Sequence, residues 1–456
     1  MGMEEFLREI EGALGERVVR DPERLKGISR DWWPLAILLE REGLWGRRPP
    51  AALLPESSEE VSLIVKRARD HGACLVVQGG GSSVTGASAP RDACAVLSLS
   101  RMRRVLELNE EDLYVTVEAG ALLFELEELL NRSGYSLRHV PQSFHIASVG
   151  GSIASLGSGQ YSTGYGNAED MVLNLEVVLP NGEIAWARRP TVPRSSLGPD
   201  LKRLFAGAEG AFGVITKAVL RVVPLPPYSV SSSFQVPSFS QGLKLVRELM
   251  KRGLRPAIAR LHDEAESRLR FGSERPLLLL SYEGYDDDLV ALLWEKADQI
   301  IREGGGSEVG EEPFKKWLKS RFNYLEEMEV VYSMGMWFET FDLSATWSVA
   351  PRLHERLTRE LEDMEVIAMA HASHFYLNGA ALYFTVLFER SPEAYWKVAR
   401  RVFEAAIEEG ASVSHHHGAG ELKGPYLEAE LGPMVKALRK IKRALDEGGV
   451  LRSALA

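Results

Sequence analysis

Ser414-His-His-His-Gly-Ala-Gly420 sets three imidazoles side by side in a run flanked by small residues. Imidazole titrates near neutrality, so His415, His416 and His417 suit proton transfer. On an extended chain His415 and His417 would point one way and His416 the other. One face could then offer a base while the other packs or hydrogen-bonds. A metal site and a solvated loop are the competing readings. His371 and His374 lie elsewhere in the chain, and no carboxylate or cysteine stands at ligand spacing nearby, so no metal is expected.

A second chemistry is written in glycine. Cys74-Leu-Val-Val-Gln78 reads as a strand, and it runs into Gly79-Gly-Gly-Ser-Ser83. Consecutive glycines let backbone approach a ligand closely and turn successive N–H groups toward one anion. A diphosphate fits, and a plain glycine turn is the alternative. The run is neither a G-x-G-x-x-G fingerprint nor a P-loop. Pro141-Gln-Ser, Val149-Gly-Gly-Ser-Ile-Ala-Ser155, Gly157-Ser-Gly159 and Tyr165-Gly-Asn167 form a second block. Its small residues fall where a helix would start, which predicts free N–H groups and a positive dipole end. Gly207-Ala-Glu-Gly210 with Gly213-Val-Ile215 makes a third. Three separated sites suit a long ligand such as a dinucleotide.

Elements must position these groups. Residues 1–49 read as a polar, partly helical lead-in. Ser57 and Glu60 have capping-box spacing ahead of a helix with Val61, Ile64, Val65 and Ala68 on one face. Strands are expected near 94–99, 104–108 and 113–118. A hairpin turns at Asn181-Gly182, and Gly213–Val223 is the last strand before Pro224-Leu-Pro-Pro227, a domain boundary. From 228 to 410, strands at Ser229–Val236, Pro256–Leu261, Leu277–Tyr282, Met336–Thr340, Ile367–Tyr376 and Ala380–Phe388 alternate with amphipathic helices. That texture predicts an α+β layer with a mostly antiparallel sheet. A basic amphipathic helix, Pro433–Leu445, closes the chain.

Bulk properties bound the function. The 456 residues are 45% hydrophobic and 26% charged, enough for two or three domains. A net charge of -10 argues against a nucleic-acid partner. The two cysteines, Cys74 and Cys94, sit in apolar runs and are expected as buried free thiols. No signal peptide or bilayer-spanning run is read, so the expectation is a cytoplasmic protein with peripheral membrane contact left open. A small-molecule substrate and a homodimer are expected.

Taken together, the glycine blocks, Tyr165-Gly-Asn-Ala-Glu-Asp170 and Gly207-Ala-Glu-Gly-Ala-Phe-Gly-Val-Ile-Thr216 resemble the vanillyl-alcohol-oxidase type FAD superfamily. The resemblance implies a two-subdomain FAD-binding domain of the PCMH type over residues 50–226. A substrate cap would follow at 227–410, and a C-terminal segment with the histidine triplet and closing helix at 411–456. It further implies non-covalent FAD. Gly79, Gly80, Gly81, Ser82, Ser83 and Val84 would hold the pyrophosphate. Pro141, Ser148, Gly151, Ser155, Leu156, Gly157 and Ser158 would line flavin and diphosphate. Glu209, Gly210, Gly213, Val214 and Ile215 would reach the adenine side.

The second half is similar to one branch, the alkylglycerone-phosphate synthases (alkyl-dihydroxyacetonephosphate synthases). By that likeness Arg260 in Pro256-Ala-Ile-Ala-Arg-Leu is an active-site arginine. Tyr376 in His374-Phe-Tyr-Leu-Asn is the catalytic tyrosine, and the histidine triplet completes the site. Trp337-Phe-Glu-Thr-Phe-Asp342 is also similar to a family segment. One departure stands out. Aligned from Arg321-Phe-Asn-Tyr, a second substrate-binding arginine of the synthases falls on Met328, beside Glu326 and Glu327, whose carboxylates would repel a phosphate. Lys315 or Lys319 could replace it. The expected function is therefore an FAD-dependent oxidoreductase acting on a small hydroxy acid or a related hydroxylated or carbonyl compound. The alternatives are a synthase proper, exchanging acyl for alkyl on acyl-dihydroxyacetone phosphate, and a non-catalytic FAD-binding or electron-transfer subunit.

Overall fold

A computed structural model describes residues 2–90 and 93–455. Two cores organise the chain. The N-terminal half holds a four-stranded sheet, in the order Val18–Val19, Ala52–Leu53, Ala95–Ser98, Leu75–Gln78. Its last three strands are parallel. Beside it lies an antiparallel five-stranded sheet, Val105–Asn109, Tyr114–Glu118, Val214–Arg221, Val172–Val178, Ile184–Trp186. The Asn181-Gly182 hairpin forms as expected, with Gly182 at φ +83°.

The helix Ser58–Asp70 covers the parallel sheet with the expected stripe of Val61, Ile64, Val65 and Ala68. Its Ser57 cap accepts the Glu60 N–H at 3.2 Å. Glu60 does not complete a capping box. Its carboxylate takes the Glu56 N–H at 2.8 Å and pairs with Arg17, because a guanidinium is the stronger partner.

The second half is one antiparallel sheet of seven strands: Ser307–Gly310, Tyr228–Gln235, Leu277–Gly284, Ile258–His262, Ile367–Phe375, Gly379–Glu389, Met336–Thr346. All six expected strands are present, and a short edge strand adds the seventh. Helices Phe239–Lys251, Ala350–Glu362 and Pro392–Glu409 pack on its apolar face through side chains such as Leu261, Ala372, Leu382 and Phe341.

Both ends of the chain join these cores, and one expectation, that of free thiols, is overturned. Within the lead-in, Phe6, Leu7 and Ile10 are fully buried in the first core, while Trp33 and Leu35–Leu38 are buried in the second. Their helical spacing gives each a narrow apolar stripe that a whole-segment polarity reading averages away. The C-terminal segment returns to the first half, where Leu451 bridges Leu75 and buried Lys442 donates to the Ala211 and Leu451 carbonyls at 2.7 Å. Cys74 and Cys94 are joined in a disulfide. They precede Leu75 and Ala95, which are register partners on adjacent parallel strands, so the two Cα atoms stand 4.7 Å apart. Among the described residues, no helix is long and apolar enough to cross a membrane.

Truncating Phe6 to Ala should cost about 3–5 kcal/mol, because its ring is wholly enclosed. Urea denaturation followed by fluorescence measures it. Arg8→Ala, on the exposed face of the same helix, serves as the control and should shift stability by less than about 0.5 kcal/mol.

Candidate active site

Strand register builds the site. On the face of the seven-stranded sheet opposite the helices, His262 pairs with His371, His371 with Tyr383, and Tyr383 with Asp342. The neighbouring row is Arg260, Ser373, Ala381 and Ser344. Paired residues share a face, so one side of the sheet carries a band of polar groups. Glu266 anchors one end, with an oxygen 2.9 Å from His371 Nδ1 and 3.1 Å from His262 Nδ1, and Arg270 donates to its other oxygen at 2.8 Å. His371 stacks on Tyr383 at 4.6 Å between centroids.

At the end of strand Ile367–Phe375 a bulge leaves His374 without a partner, at φ +51°. Left-handed backbone at a histidine is costly and re-aims the side chain. Ser162 Oγ meets His374 Nδ1 at 2.5 Å, and the Phe375 N–H donates to Thr163 Oγ1 at 2.9 Å. These bonds pin the cap to the N-terminal half and place Tyr376 beside Asn167.

The histidine run is curled, not extended. The N–H groups of His415, His416 and His417 all donate to Asp342 Oδ2, at 2.8, 2.9 and 3.2 Å. His417 Nδ1 lies 2.9 Å from Asp342 Oδ1, which also takes the buried Lys423 ammonium. Three successive N–H groups aimed at one oxygen bend the backbone. The expected alternation therefore fails, and adjacent rings meet: His415 Nδ1 lies 2.9 Å from His416 Nδ1. His415 Nε2 lies 2.7 Å from the Tyr376 hydroxyl, and His416 Nδ1 lies 3.1 Å from that of Tyr383.

Burial sets the electrostatics. It pulls His415 down to about 4, against the opposing pull of Asp342. It also holds His416 and His374 well below the usual histidine range, helped by the neighbouring imidazoles. Burial lifts the Tyr376 phenol to about 12, with Asn167 opposing. At neutral pH the site is thus a phenol beside neutral imidazoles. For Asp342 burial works upward but is outweighed by His417 and Lys423, which hold the carboxyl well below its ordinary value.

Arg260 brings the positive charge. Its Nε is buried without a hydrogen-bond partner, and among the described residues its guanidinium makes no ion pair. The Trp317 ring lies 5.8 Å away. Met328 is buried in the cap core, so the position aligned with a second arginine is apolar. Glu327 is not loose beside it: Arg270 grips it at 2.8 and 3.2 Å, which removes the repulsion expected from that carboxylate. Lys315 is exposed and paired with Glu311, and Lys319 is exposed.

The glycine blocks fit a diphosphate in one place more than another. Among the described residues, the N–H groups of Gly81, Ser82, Ser83 and Val84 make no hydrogen bond, and Gly81 has φ +68°. Four consecutive free donors suit phosphate oxygens. A Cβ at Gly80 would collide with the Ile146 carbonyl oxygen, because this loop is seated directly on the second block. Ser148 Oγ joins them, accepting the Gly80 and Gly151 N–H groups at 3.2 Å.

The helix Val149–Ala154 does not offer the free start expected of it. Val149 and Gly150 donate to Ala121 and Ala119, since the helix is docked end-on against that strand exit. Pro141 is buried and Ser155 Oγ returns to Gly151 O at 3.1 Å. Leu156, at φ +56°, packs on Gly207, and Gly157 closes on Ser152. Ser158 Oγ donates to Asn167 Oδ1 at 2.7 Å. In the third block Gly210 packs near Val77, while Gly213, Val214 and Ile215 are sheet interior. The Glu209 carboxylate is turned to the histidine loop, where it accepts the Ala419 and Gly420 N–H groups at 2.5 and 3.2 Å.

Asp342, His416 and His417 bring ligand-type atoms within 4.8 Å of one another, so a carboxylate does stand near the triplet after all. That carboxylate already receives the three N–H groups, His417 and Lys423. Sequence reading missed Asp342, Lys423, Asn167, Tyr383 and Glu266 as site residues. Asn167 lay in the Tyr165-Gly-Asn167 run and Asp342 in the segment Trp337–Asp342, and those placements were the signals available.

Residues 49–188 match the FAD binding domain model and residues 225–452 the model described as FAD linked oxidases, C-terminal domain. The chain belongs to the FAD-linked oxidase family; it is an FAD-dependent enzyme. Alkyldihydroxyacetonephosphate synthase of Trypanosoma brucei brucei is 27% identical over 464 residues, covering 91% of this chain and 74% of the relative. The mitochondrial D-lactate dehydrogenase [cytochrome] of Arabidopsis thaliana is 28% identical over 424 residues, covering 88% and 72%. A solved alkyldihydroxyacetonephosphate synthase superposes with a TM-score of 0.83 at 22% identity, covering 98% of this chain and 84% of that one.

Two measurements probe the site. Gly80→Asp should lose FAD, read as the ratio of visible to protein absorbance, because its Cβ displaces the four-donor loop. Asp342→Ala leaves the Lys423 charge buried and unpaired and should cost about 3–5 kcal/mol at pH 7. Since the folded-state value of Asp342 is depressed, its stabilisation is full above about pH 4 and is lost as pH falls through that folded value. Thermal melting from pH 7 downward should show an acid loss in the native protein that Asp342→Asn lacks.

Proposed function

We propose that this enzyme oxidises a small 2-hydroxy acid or a close relative, with FAD held non-covalently on the Gly79–Val84 loop. The observation that carries the reading is Arg260: a half-buried arginine whose buried Nε has no hydrogen-bond partner and which makes no ion pair among the described residues, on the sheet face that also bears Tyr383 and His371. A lone arginine can grip a carboxylate with two parallel hydrogen bonds. A phosphate dianion calls for more fixed positive charge, and the position aligned with a second arginine is buried Met328. Bound FAD supplies the two-electron acceptor. Tyr376 and His415 take the hydroxyl proton, the phenol receiving it as its own passes to the neutral imidazole 2.7 Å away. Arg260 orients the substrate through its carboxylate. The likeness to the D-lactate dehydrogenase agrees with this substrate class.

A second reading is acyl-for-alkyl exchange, as the name of the Trypanosoma relative describes. The shared Tyr376 and histidine loop favour it, and the apolar Met328 disfavours it.

Anaerobic mixing with a panel of 2-hydroxy acids decides between them. Flavin bleaching is expected, abolished in Arg260→Met. Tyr376→Phe and His415→Ala should keep FAD and slow bleaching by about a hundredfold or more. The acid limb of the rate should fall near His415's depressed value of about 4, below the ordinary histidine range. No bleaching, with fatty alcohol incorporated into acyl-dihydroxyacetone phosphate, would make the enzyme a synthase.

A further inference from the structure

Asn167 belongs to no glycine block's anion site and takes no part in the chemistry above, yet its carboxamide touches the Tyr376 hydroxyl. We infer that Asn167 is a positioning residue: its amide fixes the direction of the hydrogen-bond chain from Tyr376 through His415 to His416, so that His415 presents a bare Nε2 to the phenol.

The argument begins with the carboxamide oxygen. Asn167 opens the helix Ala168–Met171 in a reciprocal cap with Asp170: its own N–H donates to Asp170 Oδ2 at 3.0 Å. Its Oδ1 faces the Asp170 N–H, less closely than a full hydrogen bond requires, and accepts the Ser158 hydroxyl at 2.7 Å. With the oxygen turned to those donors, the amino group is left for Tyr376, 3.2 Å from its hydroxyl. Tyr376 oxygen is then an acceptor from Asn167, and its own proton goes to the nearest open acceptor. That is His415 Nε2 at 2.7 Å, against 3.3 Å for the already engaged Asn167 Oδ1.

A neutral imidazole carries one N–H. If Nε2 of His415 is bare, Nδ1 bears the proton and donates to His416 Nδ1 at 2.9 Å. His416 Nδ1 is bare in turn and its one lone pair faces that N–H, with the Tyr383 hydroxyl oxygen 3.1 Å from the same nitrogen. Every donor from Ser158 to His415 then points the same way.

The order has a consequence that rests on the proposed function. A substrate proton arriving at Tyr376 displaces the phenol proton to His415 Nε2. Two protons shift by one place, and the positive charge rests on His415, whose Nδ1–H faces His416 Nδ1 at 2.9 Å.

The tautomer is directly observable. Long-range correlation spectra of [15N]histidine-labelled FAD-loaded protein, with the His415 signals assigned by their loss in His415→Gln, report which ring nitrogen bears hydrogen. A protonated Nδ1 and bare Nε2 at His415 are expected; a protonated Nε2 in the native protein overturns the inference. Asn167→Asp keeps the cap and the shape but replaces the donor with an acceptor. Its ionised form should draw the Tyr376 proton to itself and flip His415 to the Nε2–H form. Lowering the pH protonates the new carboxyl, restores a donor and should flip the ring back.

The charged and titratable groups around position 167 are Glu169 and Asp170 on its own helix, Arg203 (3.5 Å from Asp170), Arg221, and Tyr376 with His415 across the interface. A His415 tautomer unchanged in Asn167→Asp at every pH also overturns the inference. None of these spectra uses turnover. The substrate reading can therefore fail in the bleaching screen while the tautomer order stands, and the reverse.

Discussion

The site depends on one buried carboxylate. Asp342 sits mid-strand, opposite Tyr383, with 0% exposure, and gathers three consecutive backbone N–H groups, an imidazole and an ammonium. A buried carboxylate is costly unless every lone pair is used, and here each oxygen has at least two donors. Satisfying it dictates the path of residues 415–417, and that path in turn brings His415 and His416 into contact. The rings are placed by the backbone, and the backbone is placed by a side chain 73 residues away.

That anchor also couples the two halves. The loop that ends at Gly420 touches the cofactor half at several points. Thr85 Oγ1 donates to the His417 carbonyl at 3.1 Å, Thr85 O accepts the Leu422 N–H at 3.1 Å, and Glu209 accepts from Ala419 and Gly420. Thr85 directly follows the four free N–H groups, so the Gly79–Val84 loop and the histidine loop share a hydrogen-bonded seam. On the other side Ser162, Thr163 and Asn167 meet His374, Phe375 and Tyr376. The groups proposed to move a proton are therefore held from both halves at once. This is the supporting shell that a constellation needs if its distances are to stay within a fraction of an ångström.

The sequence disclosed what is local. Alternation and turns placed the six main cap strands, and the Asn181-Gly182 hairpin was legible from two residues. The three glycine blocks, Arg260, Tyr376 and the triplet stood out by composition or by likeness to a family. What it did not disclose is whatever needs register. Asp342 reads as the last polar residue of Trp337–Asp342 and becomes an anchor only because Tyr383 lies across from it. The bulge at His374 carries no signal in the alternation of Ile367–Tyr376. Cys74 and Cys94 look like two isolated thiols until the parallel pairing of their strands sets them 4.7 Å apart. Glu209 looks like part of a nucleotide site, yet its carboxylate is spent on a loop more than two hundred residues downstream.

Charge is distributed differently in the two halves. In the N-terminal half the free donors are backbone N–H groups, which any diphosphate satisfies equally. The sheet face of the second half carries side-chain charge: Glu266 and Glu327 share Arg270, Asp342 faces Lys423, and half-buried Arg260 makes no ion pair among the described residues. Arg260 therefore offsets the second of those carboxylates in the charge count, while its Nε, buried without a hydrogen-bond partner, is left to meet an anionic ligand.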